Sequence, residues 1–391
     1  MANLALWQKL TRVLPGRPFG DGVDGNYSSA SIPTLKYKSC SGTATSTTLS
    51  ADTDTSPYIV GDVLLLYQTR GTGVGQWEIN RVLAVGSDSY TMQVALNYTY
   101  TDSGASQAQA IKIPRYTDVT VSAGTWTITD FDGDIGGVLT FASNGLLTVT
   151  GTIAGSGKGF RGGVGGNTTP LGNRTGFEGE GTSGTSDTQT TSANGNGGGG
   201  GGPTDDGGSH SGAGGGGGGY ASAGSNGTTG AFAGTVGTGG SAVNAADLTT
   251  FNFGGAGGGG GGEASYTGGT GGDGAGGIFI FAKNIVSVNA INCNGLNGTS
   301  GTDVNSSGGG GGGAGGSCLI ACQVATLGTN VITATAGTGG ASGGAGGNGG
   351  NGSVGRIAIH HSGTVTGTTN PTFTDVSDGS LTEQNAWFLF M

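Results

Sequence analysis

The 391-residue sequence is poor in charge, proline, histidine and cysteine, and each shortage excludes something. Only 10% of residues are charged, and 14 Lys and Arg stand against 24 Asp and Glu, for a net charge of −10 at pH 7. An acidic chain without a basic stripe has nothing to neutralise phosphates with, so a nucleic-acid partner is excluded. Eight prolines among 93 glycines, with the glycines in runs such as 197–202 and 214–219, exclude a collagen triple helix. A chain disordered throughout is also a poor fit, because such chains combine high net charge with abundant Pro, Lys, Glu and Ser. Three histidines leave little material for a zinc site or a Ser-His-Asp triad, and the adjacent His360 and His361 face opposite sides of a strand.

The four cysteines, Cys40, Cys293, Cys318 and Cys322, are too sparse for a disulfide scaffold and suit a reducing compartment. Cys318 and Cys322 lie about 13 Å apart along a strand, too far to bond to each other. No run of 18 apolar residues is present, so no membrane-spanning helix is expected. The first ten residues lack the charged start, apolar stretch and small-residue cleavage site of a secretory signal. A protein built for an outer surface but without that signal fits a virion component, assembled in the cytoplasm and released by lysis.

What remains is glycine and short apolar runs. Leu4, Trp7, Leu10 and Leu14 recur at helical spacing and stop at Pro15, which predicts one amphipathic helix that docks on a partner or on its own domain. Residues 1–20 are therefore expected as an attachment segment. Over 21–125 the composition is nearly ordinary, with alternating apolar runs at 58–67, 76–85 and 90–96 separated by turn residues, predicting an antiparallel β-domain of sandwich or barrel type.

Residues 126–391 carry a repeat. Four segments start with glycine and continue as a strand, at 137–142, 277–282, 316–321 and 355–360. Aligned on those glycines, they place Leu139, Phe279, Cys318 and Ile357 in one column and Phe141, Phe281, Ile320 and Ile359 two residues on, both on one face. Second short strands follow, at Ile153, Ile291 and Ile332. The expected fold is mostly β, an antiparallel domain followed by a repeated, solenoid-like or layered scaffold with glycine-rich insertions.

The main insertion, 157–276, holds 48 glycines in 120 positions. Without a Cβ, such chain can take the extended threefold polyglycine form and pack main chain against main chain. Among its isolated aromatics, the Phe residues read as anchors, while Tyr220 and Tyr266 are candidates for stacking on a receptor. The apolar stretch containing Trp387, Phe388 and Phe390, with Leu4, Trp7 and Leu10, is the candidate partner or oligomer interface.

No catalytic or metal motif survives inspection. Residues 151–158 miss the spacing of a phosphate-binding loop, and Gly159 stands where Ser or Thr must hold magnesium. Asp130, Asp132 and Asp134 begin like a calcium loop, but Phe141 occupies the position of the bidentate Glu. A polysaccharide hydrolase would need paired carboxylates, for which Glu178 with Glu180, or Asp205 with Asp206, are the candidates. The expectation is a protein without catalysis, cofactor or metal.

The glycine runs bounded by short strands resemble the glycine-rich adhesins at the tips of tail fibres of T-even-like phages, which fold as a polyglycine sandwich. The stretches 277–285, 355–360 and 111–121 are similar to glycine-rich proteins of bacterial surfaces and phage particles. The resemblance implies a virion-surface or extracellular adhesive protein whose partners are other virion proteins and a host polysaccharide or outer-membrane protein. It also implies a homo-oligomer, for which a trimer is the fibre-like form. A bacterial surface or filament protein is the second expectation, and an ice-binding polyglycine bundle the third.

Overall fold

The computed structural model describes residues 6–14, 17–53, 55–166, 175–202, 211–231, 234–243, 245–262, 267–302 and 306–382. One short helix, Leu6–Thr11, opens the described chain. Leu6 and Leu10, one turn apart, are buried in a cluster with Val13, Trp77, Ile79 and Phe281. Leu10 is therefore not the partner contact its spacing suggested. Among the helix's described side chains, Leu6 and Leu10 are spent inside its own chain.

The described residues are mostly β and form one antiparallel and two parallel sheets. The antiparallel sheet has the spatial order Tyr37–Ser39, Gln107–Lys112, Val63–Arg70, Trp77–Val85, Ser89–Met92, Thr48–Ser50. Its central strand, Val63–Arg70, is buried along its whole length. Leu64 and Leu66 join Tyr58, Tyr90, Ala108 and Ala110 on one face, whereas Val63, Leu65 and Tyr67 join the helix and Phe279 on the other.

The longer parallel sheet runs Tyr27–Ser29, Val119–Val121, Val138–Val149, Gly277–Ser287, Ser317–Cys322, Arg356–His361, Thr374–Ser377. The shorter one stacks Thr125–Thr127, Thr152–Ala154, Ile291–Asn292, Ile332–Thr333 and Thr369–Asn370. Ile153, Ile291 and Ile332 lie in register across it. Residues 27–29, 115–116, 119–121 and 125, expected within the antiparallel domain, pair instead with the parallel sheets.

The register of the long sheet differs from the glycine-aligned expectation by one residue. Leu139 pairs with Ile278, which pairs with Cys318, which pairs with Ile357. Ile278 and Ile280, not Phe279 and Phe281, complete the two columns that face the shorter sheet. Phe279 and Phe281 point to the opposite core, against Trp77, Leu319, Ala321 and Ala358. A slip of one residue exchanges the two faces of a strand, and here both faces are apolar, so the sequence pattern does not betray it.

The described glycine-rich segments form a body of main-chain hydrogen bonds that repeat every third residue. Gly215 and Gly218 donate to Gly309 and Gly312, Gly216 and Gly219 to Gly199 and Asn196, and Gly214 and Gly217 to Thr228 and Ser225. Their carbonyls accept in the same rhythm from Gly258, from Gly237 and Gly240, and from Gly350 and Ser353. Segment 213–219 is thereby bonded to six neighbours: 196–202, 225–228, 237–240, 258–261, 309–312 and 350–353. Segments 254–261 and 308–315 are each surrounded in the same way, and the three are bonded to one another. Ala213, Ala256 and Ala314 are buried in these segments, but at the glycines a Cβ has no room: one added at Gly258 would lie 2.2 Å from the Gly199 carbonyl oxygen, and one at Gly311 2.0 Å from that of Gly216.

Candidate functional site

The interior of the glycine-rich body carries almost no side chains, so whatever this part of the molecule recognises must be met at its rim or its ends. One end is fastened to the sheets. There Phe160, Phe251 and Phe253 are buried, with Phe251 stacked on Phe279 at 3.8 Å between ring centroids and Phe253 edge-on to Tyr67. Tyr220 is fully buried, its hydroxyl bonded to Ser317 Oγ. It anchors the body to the sheet and presents nothing to a receptor, which corrects the expectation placed on it.

Two polar fixtures complete that fastening. Glu180, fully buried, accepts from Arg70 of the antiparallel sheet and from Arg161 Nε at 3.0 Å, and also from the Arg161 main-chain amide at 3.1 Å. Three consecutive carbonyls of the turn at 247–249 are each taken by a different element. His360 Nε2 lies 2.8 Å from the Asp247 oxygen, Trp77 Nε1 donates to Leu248 at 3.3 Å, and Lys9 Nζ to Thr249 at 3.0 Å. A carbonyl only accepts, so His360 carries its proton on Nε2. Burial lowers the pKa of His360 and brings that of Lys9 down to about 7.

At the other end of the body the described ends of adjoining segments are bonded to one another. Gly166 donates to Gly260, Ala213 to Gly202, Gly212 to Ser306, Gly261 to Ala213, Gly308 to Gly261, and Ala231 to Ala345. The sequence segments 167–174, 203–210, 263–266 and 303–305 join these neighbouring ends. They hold residues that the glycine runs lack, among them Leu171, Arg174, Asp205, Asp206, His210, Glu263 and Tyr266. Tyr266, Leu4, Trp387, Phe388 and Phe390 lie outside the described residues, and Trp7 is placed only as a member of the helix.

No family model matches the chain, and no curated protein is significantly similar to it.

Along the rim, small polar side chains recur. Thr267 and Thr270 face Thr302 and Thr299 on the adjoining segment in reciprocal bonds, in which each main-chain amide of the first pair donates to a hydroxyl of the second at 3.1 and 2.7 Å. Asn348, Asn351, Asn226 and Asn297 are likewise exposed and bonded to amides of neighbouring segments.

Of the carboxylate pairs considered for hydrolysis, only Glu178 with Glu180 lies among the described residues, and its members are not free to work together. Glu180 is committed to its two arginines, Glu178 is only partly buried beside Thr188, and Asp205 and Asp206 fall outside the described residues. A different pair, which the sequence did not flag, lies beside an open cleft of ≈ 800 Å³ on the antiparallel side. Its member Asp102 is raised to about 6 by burial and then by the neighbouring Asp134, and the Gln107 amide donates to both carboxylates. Among the described residues no group of three or more His, Cys, Asp or Glu is placed to hold a metal ion.

Proposed function

We propose that this chain is a non-enzymatic adhesive protein of a virion surface, a tail-fibre or particle component that contacts a host cell. In this reading the parallel strands are rungs of a solenoid-like scaffold. The glycine runs are threefold polyglycine helices, packed hexagonally as insertions between rungs, and the end of the body away from the sheets is the face offered to the host. The carrying observation is the ring of six main-chain neighbours around each of the segments 213–219, 254–261 and 308–315. Such packing makes a stiff body about 20 Å long, at the rise of an extended threefold helix. A rigid body with variable turns at its tip is the usual way to carry recognition on loops.

The partners in this reading are other virion proteins at the sheet end and a host polysaccharide or outer-membrane protein at the far end, with the chain acting as a homo-oligomer. Antibody-labelled cryo-electron micrographs of the native source material test it. Label on fibre tips or particle surfaces is the expected result; label on cell envelopes or on filaments without particles overturns it in favour of a cellular surface protein. The exposed threonine pairs on adjoining rim segments favour ice binding as a second reading, which a thermal-hysteresis gap in the purified protein would establish.

A further inference from the structure

A hexagonal array of main chains has no natural boundary. Each outermost segment exposes amides that another glycine segment could take, much as the edge of a sheet exposes its ladder. On this rim the acceptor changes from main chain to side chain. Gly339 N donates to Asn351 Oδ1 at 2.9 Å, Ser342 N to Asn348 Oδ1 at 2.8 Å, and Gly239 N to Asn226 Oδ1 at 2.8 Å. Thr338 N donates to Asn297 Oδ1 at 2.9 Å, and Asn348 N to Thr228 Oγ1 at 2.7 Å. The residues supplying these oxygens are all exposed, so the caps sit on the outer surface of the body and bridge adjoining segments.

The caps share a local code. Asn226, Asn297, Asn348 and Asn351 are each followed by glycine, and each of those glycines donates its own amide to the same neighbouring segment that the Asn side chain caps. Gly298 N reaches Thr338 O while Asn297 Oδ1 takes Thr338 N; Gly352 N reaches Gly337 O while Asn351 Oδ1 takes Gly339 N. The glycine lets the chain pass close, and the asparagine consumes the amide beside the contact.

We infer that the rim made by 225–228, 337–342 and 347–353 is a masked self-association surface, on which Asn226, Asn348, Asn351 and Thr228 block the docking of a glycine segment from a second copy of this chain. The inference rests on the hexagonal reading of the glycine runs. It explains why asparagine, an otherwise poor former of regular structure, recurs at this rim. Uncapped, the same surface would meet its like, and contacts of that kind propagate when they do not close.

The test substitutes glycine, the residue this array accommodates everywhere, so that a cap is lost without a new clash. Full-length Asn226→Gly/Asn348→Gly/Asn351→Gly and wild type are compared by sedimentation velocity over a range of concentrations, with hydrogen exchange as the second readout. The expected result is a sedimentation coefficient for the variant that climbs with concentration above the wild-type value. Asn351→Asp, which keeps an acceptor oxygen, should sediment like wild type. A folded variant whose coefficient does not change, with the amides of 239, 339 and 342 newly exchanging, overturns the mask alone. Rapid exchange throughout 213–219, 254–261 and 308–315 in wild type overturns the hexagonal reading itself. If the triple variant does not fold, Asn351→Gly decides on the same criterion.

Discussion

At the scale of the residue, the glycines are not interchangeable. A Cβ at Gly311 would lie 2.0 Å from the Gly216 oxygen and one at Gly216 2.0 Å from the Thr238 oxygen, and in both cases the obstacle is main chain already held by neighbours on several sides. Such an obstacle cannot rotate away, unlike the end of a flexible side chain. Gly311→Ala should therefore lower stability by about 1–3 kcal/mol or more, as overpacking of a closed interior does. Gly379, with nothing within 4 Å of the added atom, is the contrast, and Gly379→Ala should stay within about 0.5 kcal/mol of wild type. Denaturant midpoints of the two variants, measured side by side, separate a packed array from loose loops; equal midpoints would refute the packed one. The sequence made part of this legible, since glycine runs without Ser or Lys pointed to order. It gave no sign of which run neighbours which, because main-chain acceptors carry no residue code, and it misled at Tyr220, whose burial depends on a partner 97 positions away.

At the scale of the element, the helix Leu6–Thr11 buries Lys9 along with its leucines. Lys9 is buried, its ammonium sits 4.0 Å from the Trp77 ring centroid, and its amine donates to Thr249. Glu78, which also pairs with Arg12, and Asp247 are the charges near it, and His360 lines the same small cavity. Burial lowers its pKa from 10.5 to about 7, so between those values the unfolded chain binds the proton that the folded chain has lost. Stability contributed by this group must then rise with pH through that window, by on the order of 5 kcal/mol if no other group titrates. Lys9→Met should flatten the rise, which urea midpoints at pH 7 and 9.5 would show; an unchanged slope would mean that Lys9 stays charged in the fold. Leu10→Ala, at a site 4% exposed, should cost about 2–5 kcal/mol whatever the pH. Element existence was readable here and element pairing less so. Helical spacing located the helix but not its destination, and glycine alignment found the repeated strands yet misplaced 277–282 by one residue, because Ile278 and Phe279 are equally suited to a core.

At the scale of the whole molecule, the question is what makes three sheets and a glycine array behave as one body. The core between the antiparallel sheet and the long parallel sheet supplies the apolar share, joining Tyr67, Trp77, Phe253 and Phe279. The polar share is Glu180, which ties Arg70 of the antiparallel sheet to Arg161 at the start of the glycine-rich chain. Arg70 and Glu180 have side chains 2% and 0% exposed, whereas Arg161 is 45% exposed and counts for less. Glu180→Ala would strand the Arg70 charge in a closed site, and a loss of about 3–5 kcal/mol is expected, because breaking one half of a buried pair costs more than the pair is worth. Arg70→Met combined with Glu180→Leu removes both buried charges and should recover much of that loss. If the single substitution costs no more than the double one, the triad is not what couples the sheets to the array. If it costs more and calorimetry splits one transition into two, the sheets and the glycine body are separable units that this carboxylate holds together.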